Sequence, residues 1–256
     1  MGYSDLFLLL GVGLIGGVWN AVAGGATLFT FPALMFVGLP PMVANATNYL
    51  GLLPSNAAAL LAYRTELRRL GATLLPLMLI SGLGAMVGSV LLLRSDPETF
   101  LVLVPFLILI ATLLFAFGGS VADALTRLAG GSGAARLALT FLFVSSIYGG
   151  YFGAGLGIIL LAIAQIIGYS DFHQANSIKN LLATNFTLIS IAIFGLGGLI
   201  DWRAALIMMI SSTAGGYLGG RFAKMANPSV LRGAVTVFGL ILAGTYFWRV
   251  FITPVA

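Results

Sequence analysis

The sequence contains very little charge. Only 7% of its 256 residues are charged, 60% are hydrophobic, and the mean hydropathy is +1.09. A soluble domain carries roughly a quarter charged residues, so this chain has too few polar side chains to cover a globule in water. Lipid must be its solvent, and the sequence predicts an all-α integral membrane protein.

Cysteine is absent, and His173 is the single histidine. The lack of cysteine excludes disulfides, thiolate metal sites and cysteine nucleophiles. A single histidine excludes a histidine-rich metal site. No G-x-S-x-G, HExxH or Walker motif occurs in the sequence. We therefore predict that the chain is not an enzyme and needs no cofactor. A membrane-embedded enzyme is an alternative that these absences disfavour.

Carboxylates are few and peripheral. The seven acidic residues lie at the ends of apolar runs or in loops, so none is placed at mid-membrane, where it would mark a proton or sodium relay. The twelve basic residues are scattered between apolar runs, which is typical of loop charges that set topology and not of a nucleic-acid site. The acidic residues are Asp5, Glu66, Asp96, Glu98, Asp123, Asp171 and Asp201.

Long apolar runs are abundant. A helix needs about 20 apolar residues to cross the hydrocarbon core, and four such runs fit in each half of the chain. We predict a first repeat at residues 1–118, a linker at 119–136 and a second repeat at 137–256. The runs are Leu6–Val37, Val43–Tyr63, Ala72–Leu93, Phe100–Phe117, Leu137–Gly168, Ala175–Leu199, Ala204–Phe222 and Leu231–Trp248.

The first run of each half is too long for one crossing. Each holds 32 residues, which as one helix would extend about 48 Å. Small residues lie near the middle of both runs, at 23–26 and at 153–157. The pattern predicts two short helices joined at a glycine break in each half. Such a break is tolerated at membrane depth only where it is buried in protein or lines a cavity.

The two halves are related by one constant difference in residue number, which we call the repeat offset. It carries Gly24 onto Gly155, and the pair Ala44-Asn45 onto the pair Ala175-Asn176. A serine, two glycines and a proline coincide at the same offset, which predicts an internal duplication. These further matches are Ser81 with Ser212, Gly84 with Gly215, Gly88 with Gly219, and Pro97 with Pro228.

The basic residues predict how the halves are oriented. They cluster between the second and third runs, in the linker and around the last loop, and basic loops are typically cytoplasmic. All three clusters reach one side only if each broken run crosses twice. Each half then has five crossings, the halves form an inverted repeat, the linker is cytoplasmic and both termini are periplasmic. Eight spans with parallel halves is the alternative.

Lys179 lies inside an otherwise apolar predicted helix, and Asn176 and Asn180 share its face. The first half has Asn45 and Asn48 at equivalent positions. A lysine at this depth is costly unless it is paired or hydrated, so we interpret the recurring polar faces as a substrate site at the repeat interface. In the alternative, Lys179 snorkels to the headgroups.

The glycine breaks supply a second set of candidate ligands. Helix N-termini present free N–H groups and a partial positive charge, which suit anions, and we assign this role to Gly24, Gly25, Thr27, Gly155 and Gly157. Close helix packing by small residues is the alternative, and it is the preferred interpretation of the glycine pairs 84/88 and 215/219.

Two tyrosines adjoin the second break. The hydroxyls of Tyr148 and Tyr151 are candidate ligand donors, and aromatic packing explains these residues equally well.

Motifs in both halves point to a known family. They are Asn20–Leu34, Gly38–Pro41 and Ala44–Asn48 in the first half, and Tyr148–Gly157, Ala175–Leu181 and Gly198–Trp202 in the second. Together they resemble the sulfite exporter TauE/SafE family, and the resemblance covers nearly the whole chain. The first half departs from the usual run of three or four glycines, because only Gly24 and Gly25 precede Ala26.

The resemblance implies transport of small sulfur-containing anions, such as sulfite, thiosulfate, sulfoacetate or other organosulfonates, across the bacterial inner membrane. We therefore expect a secondary carrier, outward-directed, that works by alternating access at the repeat interface. An anion channel is the alternative. The expected partners are a small anionic substrate and the lipid bilayer, without nucleic acid. The sequence leaves the oligomeric state open, with a homodimer among the options.

Overall fold

The protein is helical throughout the part that the structure describes. This computed structural model describes residues 2–22, 25–62, 64–128, 134–169, 171–222 and 228–252, and no strand occurs among them. The predicted all-α class is therefore confirmed. The helices are α1 (Tyr3–Val22), α2 (Thr27–Phe36), α3 (Pro41–Ala62), α4 (Arg64–Leu70), α5 (Leu75–Arg94), α6 (Pro97–Leu128), α7 (Ala134–Tyr151), α8 (Gly157–Ile166), α9 (Phe172–Leu196), α10 (Trp202–Phe222) and α11 (Pro228–Phe247).

Five helical segments within the described residues are long and apolar enough to cross a membrane. The chain is therefore a membrane protein with several candidate spans. Helix α3 is also 22 residues long, but its three asparagines make it less apolar. The five segments are Tyr3–Asn20, Arg64–Arg94, Pro97–Val121, Gln174–Leu196 and Val235–Ile252.

Both long apolar runs are interrupted near their middles, as the glycines predicted. Helix α1 ends at Val22 and α2 begins at Thr27; α7 ends at Tyr151 and α8 begins at Gly157. Gly25 has a φ of 80° in the first break, and two further glycines have a positive φ in the second. Residues with a side chain rarely adopt this conformation, so glycine is required where the chain changes direction.

Helix α2 turns back along α1. A Cβ added to Gly16 would lie 2.6 Å from the Thr30 side chain. In one continuous helix these two residues would be about four turns, or about 21 Å, apart. Each long run is therefore a 20- or 18-residue helix followed by a 10-residue half-helix.

Two features differ from the predicted runs. Helix α6 continues past Phe117 to Leu128, so most of the segment predicted as a linker is helical; residues 129–133 of that segment lie outside the described part. Arg64–Leu70 forms the short helix α4 and leads through a 3₁₀ turn at Gly71–Leu74 into α5, where the sequence suggested only a break between runs.

The tightest helix contacts are made by glycines. Helix α1 packs on α10, and α7 packs on α5, more extensively than any other helix pairs that the structure describes. A Cβ added to Gly88 would lie 2.0 Å from the carbonyl oxygen of Ile147, and one added to Gly215 would lie 2.0 Å from that of Leu14. The packing interpretation of these glycines and of Gly84 is confirmed, while no neighbour of Gly219 is described.

Helices α1, α3 and α10 lie side by side and run in the same direction, and we call them bundle one. Residue numbers rise together along each pair of neighbouring helices, which requires a parallel arrangement. The neighbouring residues are Gly13 with Met208, Gly17 with Gly216, Gly51 with Met208, and Ser55 with Gly216.

Helices α5, α7 and α9 form a second parallel group, bundle two. Residue numbers again rise together along each pair of neighbouring helices, so these helices are parallel. The neighbouring residues are Gly84 with Phe143, Gly88 with Tyr151, Met78 with Asn185, and Leu93 with Gly197.

The two bundles run in opposite directions. The Tyr49 ring on α3 lies 5.6 Å from the Phe194 ring on α9, and the hydroxyl oxygen of Thr47 accepts the Asp201 N–H at 3.0 Å. Thr47 precedes Tyr49 along α3, whereas its neighbour Asp201 follows Phe194, the neighbour of Tyr49. The two helices are therefore antiparallel. Each bundle combines helices from both halves of the sequence.

Candidate functional site

The two glycine breaks meet at one face of α6. A Cβ on Gly25 would lie 3.1 Å from the Phe115 ring, and one on Gly155 would lie 2.8 Å from the carbonyl oxygen of Ala111. Ala111 and Phe115 are one helical turn apart, and both are buried. The rings of Phe31 on α2 and Phe152 in the second break are 5.3 Å apart. The structure therefore brings both predicted breaks together inside the protein.

The C-terminal end of α7 is closed by side-chain donors. A helix end leaves carbonyl oxygens without partners, and unsatisfied carbonyls are costly in lipid. Here donors from α3 and α5 satisfy three of them, and Tyr148 of α7 satisfies one carbonyl of the break that follows. The Asn45 amide donates to the Tyr151 carbonyl at 2.9 Å, the Tyr49 hydroxyl to Gly149, the Ser89 hydroxyl to Gly150 at 3.2 Å, and the Tyr148 hydroxyl to Ala154 at 2.9 Å.

These contacts give three predicted site residues partners within the protein. Asn45 is buried and fastens α3 to the second break, while its Oδ1 atom finds no hydrogen-bond partner among the described residues. Tyr148 closes its own break. The Tyr151 hydroxyl lies 3.2 Å from that of Ser95, and its ring packs on Phe100. The geometry of both tyrosines supports the packing interpretation.

Asn48 fastens the start of α2. Its Oδ1 accepts the Thr30 hydroxyl at 2.5 Å, and its amide donates to the Thr27 hydroxyl at 3.2 Å. Asn48 is 2% exposed. The first turn of α2 is thus tied to α3 by two side-chain hydrogen bonds. Gly24 lies outside the described residues.

Lys179 occupies the equivalent position in the second half, because the repeat offset carries Asn48 onto it. Its Cδ atom lies 3.8 Å from where a Cβ on Gly157 would stand, so its side chain passes over the first residue of α8. Lys179 is only partly buried. Among the described residues no carboxylate forms a salt bridge with its ammonium.

The start of α8 is the other component of this site. Its N-cap residue, Leu156, offers no side-chain hydrogen bond, and Gly157 is exposed. The N–H groups of a first helical turn carry a partial positive charge, so they and the Lys179 ammonium repel each other. An anion placed between them would be attracted by both.

Asn180 and Asn176 flank Lys179 on α9, and both are partly exposed. In the described part of the chain no side-chain hydrogen bond involves Asn180, so its amide is available to a ligand. Lys179, Asn180 and the first turn of α8 therefore form the candidate anion site.

Sequence reasoning missed one polar cluster. The Asn20 amide donates to the Ser55 hydroxyl and to the Asn56 amide oxygen, both at 2.8 Å. The cluster joins the end of α1 to α3 close to the first break. A polar residue inside the apolar run Leu6–Val37 was the available signal, but its partners lie 35 and 36 residues away.

Comparison with known proteins identifies the family. The profile of the sulfite exporter TauE/SafE family matches residues 9–246. The chain belongs to the sulfite exporter TauE/SafE family. The resemblance carried by the sequence motifs is thereby confirmed.

Curated relatives of this TauE/SafE member are described as membrane transporters. A probable membrane transporter protein of Haemophilus influenzae is 31% identical over 253 residues, covering 94% of each chain. Proteins with the same description in Sinorhizobium and in Escherichia coli strain K12 are each 24% identical, covering 95% and 94% of this chain and 92% of their own. No solved structure matches the chain.

Proposed function

We propose that this protein is a secondary carrier that exports a small sulfur-containing anion, such as sulfite or an organosulfonate, across the bacterial inner membrane. One observation carries the proposal. Lys179 lies in a candidate membrane span, beside the exposed first residue of α8, and has no carboxylate partner in the described structure. Two positive groups held together without a counterion form a site for an anion.

The carrier mechanism is alternating access in an inverted repeat. The opposite directions of α3 and α9, which are equivalent elements of the two halves, support the inversion. The repeat offset also carries the starts of α1, α3 and α6 onto those of α7, α9 and α11. Because each bundle contains helices of both halves, the moving bodies are bundle one and bundle two.

The N-terminal ends of the two half-helices, α2 and α8, have different roles. In the first half, Asn48 and Thr30 already bond around the start of α2. In the second half, Lys179 leaves the start of α8 open to a ligand. We therefore assign one anion to each transport cycle, held at α8, with α2 as its structural counterpart.

Equilibrium binding of sulfite to the purified protein tests the site. A hydrogen bond to a charged group is worth about 1.5–3 kcal/mol, so Lys179→Met should weaken binding by roughly tenfold to a hundredfold. Lys179→Arg keeps the charge without the compact geometry and should bind with intermediate affinity. Isothermal titration or ligand-induced thermal stabilisation measures both.

Arg127→Met is the matched control, because Arg127 is exposed in the last turn of α6, a helix end outside the proposed site. It should bind sulfite as wild type does. If Lys179→Met unfolds at the wild-type temperature and binds sulfite with wild-type affinity, Lys179 only snorkels and the site assignment is wrong. Unitary currents in a planar bilayer would identify a channel and contradict the carrier.

A further inference from the structure

A cluster of arginines on α4 is not used by the proposed site. This seven-residue helix contains Arg64, Arg68 and Arg69 and one acidic residue, Glu66, so its formal charge is three minus one, or +2. All three arginines are exposed, while its two leucines are partly buried against the core. The guanidinium groups therefore point away from the packed protein.

The helix register places α4 just outside the candidate site. Helix α4 contacts α9, and it continues through the 3₁₀ turn into α5. The Asn185 amide on α9 donates to the Met78 carbonyl and the Ser81 hydroxyl on α5, at 2.9 and 3.0 Å. Counted back along these parallel helices, Lys179 is level with Thr73. Arg69 precedes Thr73 by four residues, across the turn at Gly71, whose φ is 54°.

Acidic residues at this end do not cancel the arginines. The Asp171 carboxylate caps α9 by accepting the Gln174 N–H at 2.9 Å. One carboxylate oxygen of Glu66 is buried and has no hydrogen-bond partner in the described part of the chain. Two acids thus face three exposed arginines and Lys179. The Debye length is about 8–10 Å at physiological salt, so the arginines act on an anion near this end of α9.

The cluster has no counterpart in the second half. The repeat offset carries Arg64–Leu70 onto residues 195–201, which contain no arginine and end in Asp201. In an inverted repeat, equivalent segments face opposite sides of the membrane. The three-arginine helix α4 is therefore present at one mouth of the pathway only.

We propose that the α4 arginines collect small anions from solution and concentrate them at Lys179 on that side of the membrane. This inference rests on the proposed anion-carrier function. The positive-inside rule predicts that α4 is cytoplasmic, so the arginines would raise the rate at which anions are loaded from inside the cell.

Initial rates of sulfite uptake into phosphatidylcholine vesicles containing the whole protein test the inference. At sulfite concentrations below saturation and about 0.01 M ionic strength, Arg68→Gln/Arg69→Gln should lower the rate by roughly tenfold, because electrostatic steering changes association rates by at least that factor. At about 1 M ionic strength, where the Debye length is about 3 Å, the difference should disappear. Arg68→Lys/Arg69→Lys should keep the wild-type rate and salt dependence.

The control is Arg94→Gln/Arg203→Gln, which removes two exposed charges from the last turn of α5 and the first turn of α10, at the opposite end of the helices from α4. It should leave the low-salt rate within about twofold of wild type, because the end of α5 lies about 30 Å from its start, no closer to the α4 arginines than the Debye length at this ionic strength. An equal loss in this control, or a loss in the α4 variant that persists at high salt, would overturn the inference. So would a loss that occurs only when anionic lipid is added to the vesicles, because the arginines would then bind lipid headgroups.

The two proposals fail in different ways. If wild-type vesicles take up no more sulfite than protein-free vesicles, the proposed transport of sulfite is wrong and the inference falls with it. If wild type transports sulfite and depends on Lys179, while the α4 variant has the wild-type rate at every salt concentration, only the inference is wrong.

Discussion

Asn48 and Lys179 hold equivalent positions in the two halves, but their side chains do different things. Asn48 is buried and uses both ends of its amide on α2. Lys179 passes an exposed helix start and has no carboxylate partner in the described part of the protein. On the proposed site, the same backbone position is structural in one half and binds the ligand in the other. Substitutions at Asn48 and at Asn180, the neighbour of Lys179, should therefore separate stability from binding.

Asn48→Ala should lower the free energy of unfolding by about 1–3 kcal/mol, because it removes both side-chain hydrogen bonds that tie α3 to the start of α2. The folded fraction should bind sulfite with unchanged affinity. Asn180→Ala should unfold at the wild-type temperature and bind sulfite up to about tenfold more weakly, since one hydrogen bond is worth about 1 kcal/mol. Thermal unfolding and equilibrium binding on both variants check this, and weaker binding by folded Asn48→Ala would refute the division.

At the scale of helices, glycine sets how closely α5 approaches α7 and α1 approaches α10. A methyl group on Gly88 would overlap the Ile147 carbonyl, whereas one on Gly244 of α11 would meet nothing within 4 Å. Backbone atoms cannot move aside as flexible side chains do. The contacts of α5 with α7 and of α1 with α10 are therefore sensitive to a single added carbon.

Gly88→Ala should destabilise the protein by about 1–3 kcal/mol, the usual range for overpacking. Gly244→Ala is the matched control and should be neutral or stabilising by up to about 1 kcal/mol, because alanine favours helix more than glycine does. Detergent-solubilised unfolding of both variants measures the difference. Equal melting temperatures would show that the α5–α7 contact is looser than the structure has it.

The sequence predicted most of the elements because run length and glycine position are local signals. Both interruptions of the long first runs were predicted, as were the glycine seams at positions 84, 88 and 215. Helix α4 was missed, because its arginines break the apolar pattern and its seven residues are too few to show a helical period. Helix α6 was underestimated, since its polar last turns resemble a loop in composition.

The contacts of the site were not predictable in the same way. The Asn45 amide bonds to a carbonyl 106 residues away, and the Tyr49 hydroxyl to one 100 residues away. No local pattern specifies such partners. The sequence did mark the polar residues on α3 and α9, but only the structure distinguishes those that fasten helices together from Lys179 and Asn180.

For the whole molecule, the proposed inverted repeat makes a simple topological prediction. Five crossings in each half place Ser4, at the start of α1, and Ser132, between α6 and α7, on opposite sides of the membrane. Because the chain has no cysteine, Ser4→Cys and Ser132→Cys are clean single-cysteine variants. An impermeant maleimide applied to intact cells should label Ser4→Cys only. Labelling of both from the same side would favour eight spans with parallel halves.

The distribution of charged residues predicts what drives transport. Moving one charge across 100 mV is worth about 2.3 kcal/mol, so an inside-negative potential drives anion export without a coupling ion. Sulfite flux in vesicles should follow an imposed potassium diffusion potential and change little with a sodium gradient. Strict dependence on sodium would contradict this, because acidic residues at the ends of spans would then have to serve a cation.

The exchange of helices between the halves also bears on how such a protein could have arisen. Glycine contacts pack α1 of the first half against α10 of the second, and α7 of the second half against α5 of the first. Each half therefore lacks the helix against which its own first helix packs. Expressed alone, one half would expose these glycines to lipid. On the proposed inverted repeat, an unduplicated ancestor would have required two copies of the same chain inserted in opposite orientations, and gene fusion would then have joined this dual-topology dimer into one polypeptide.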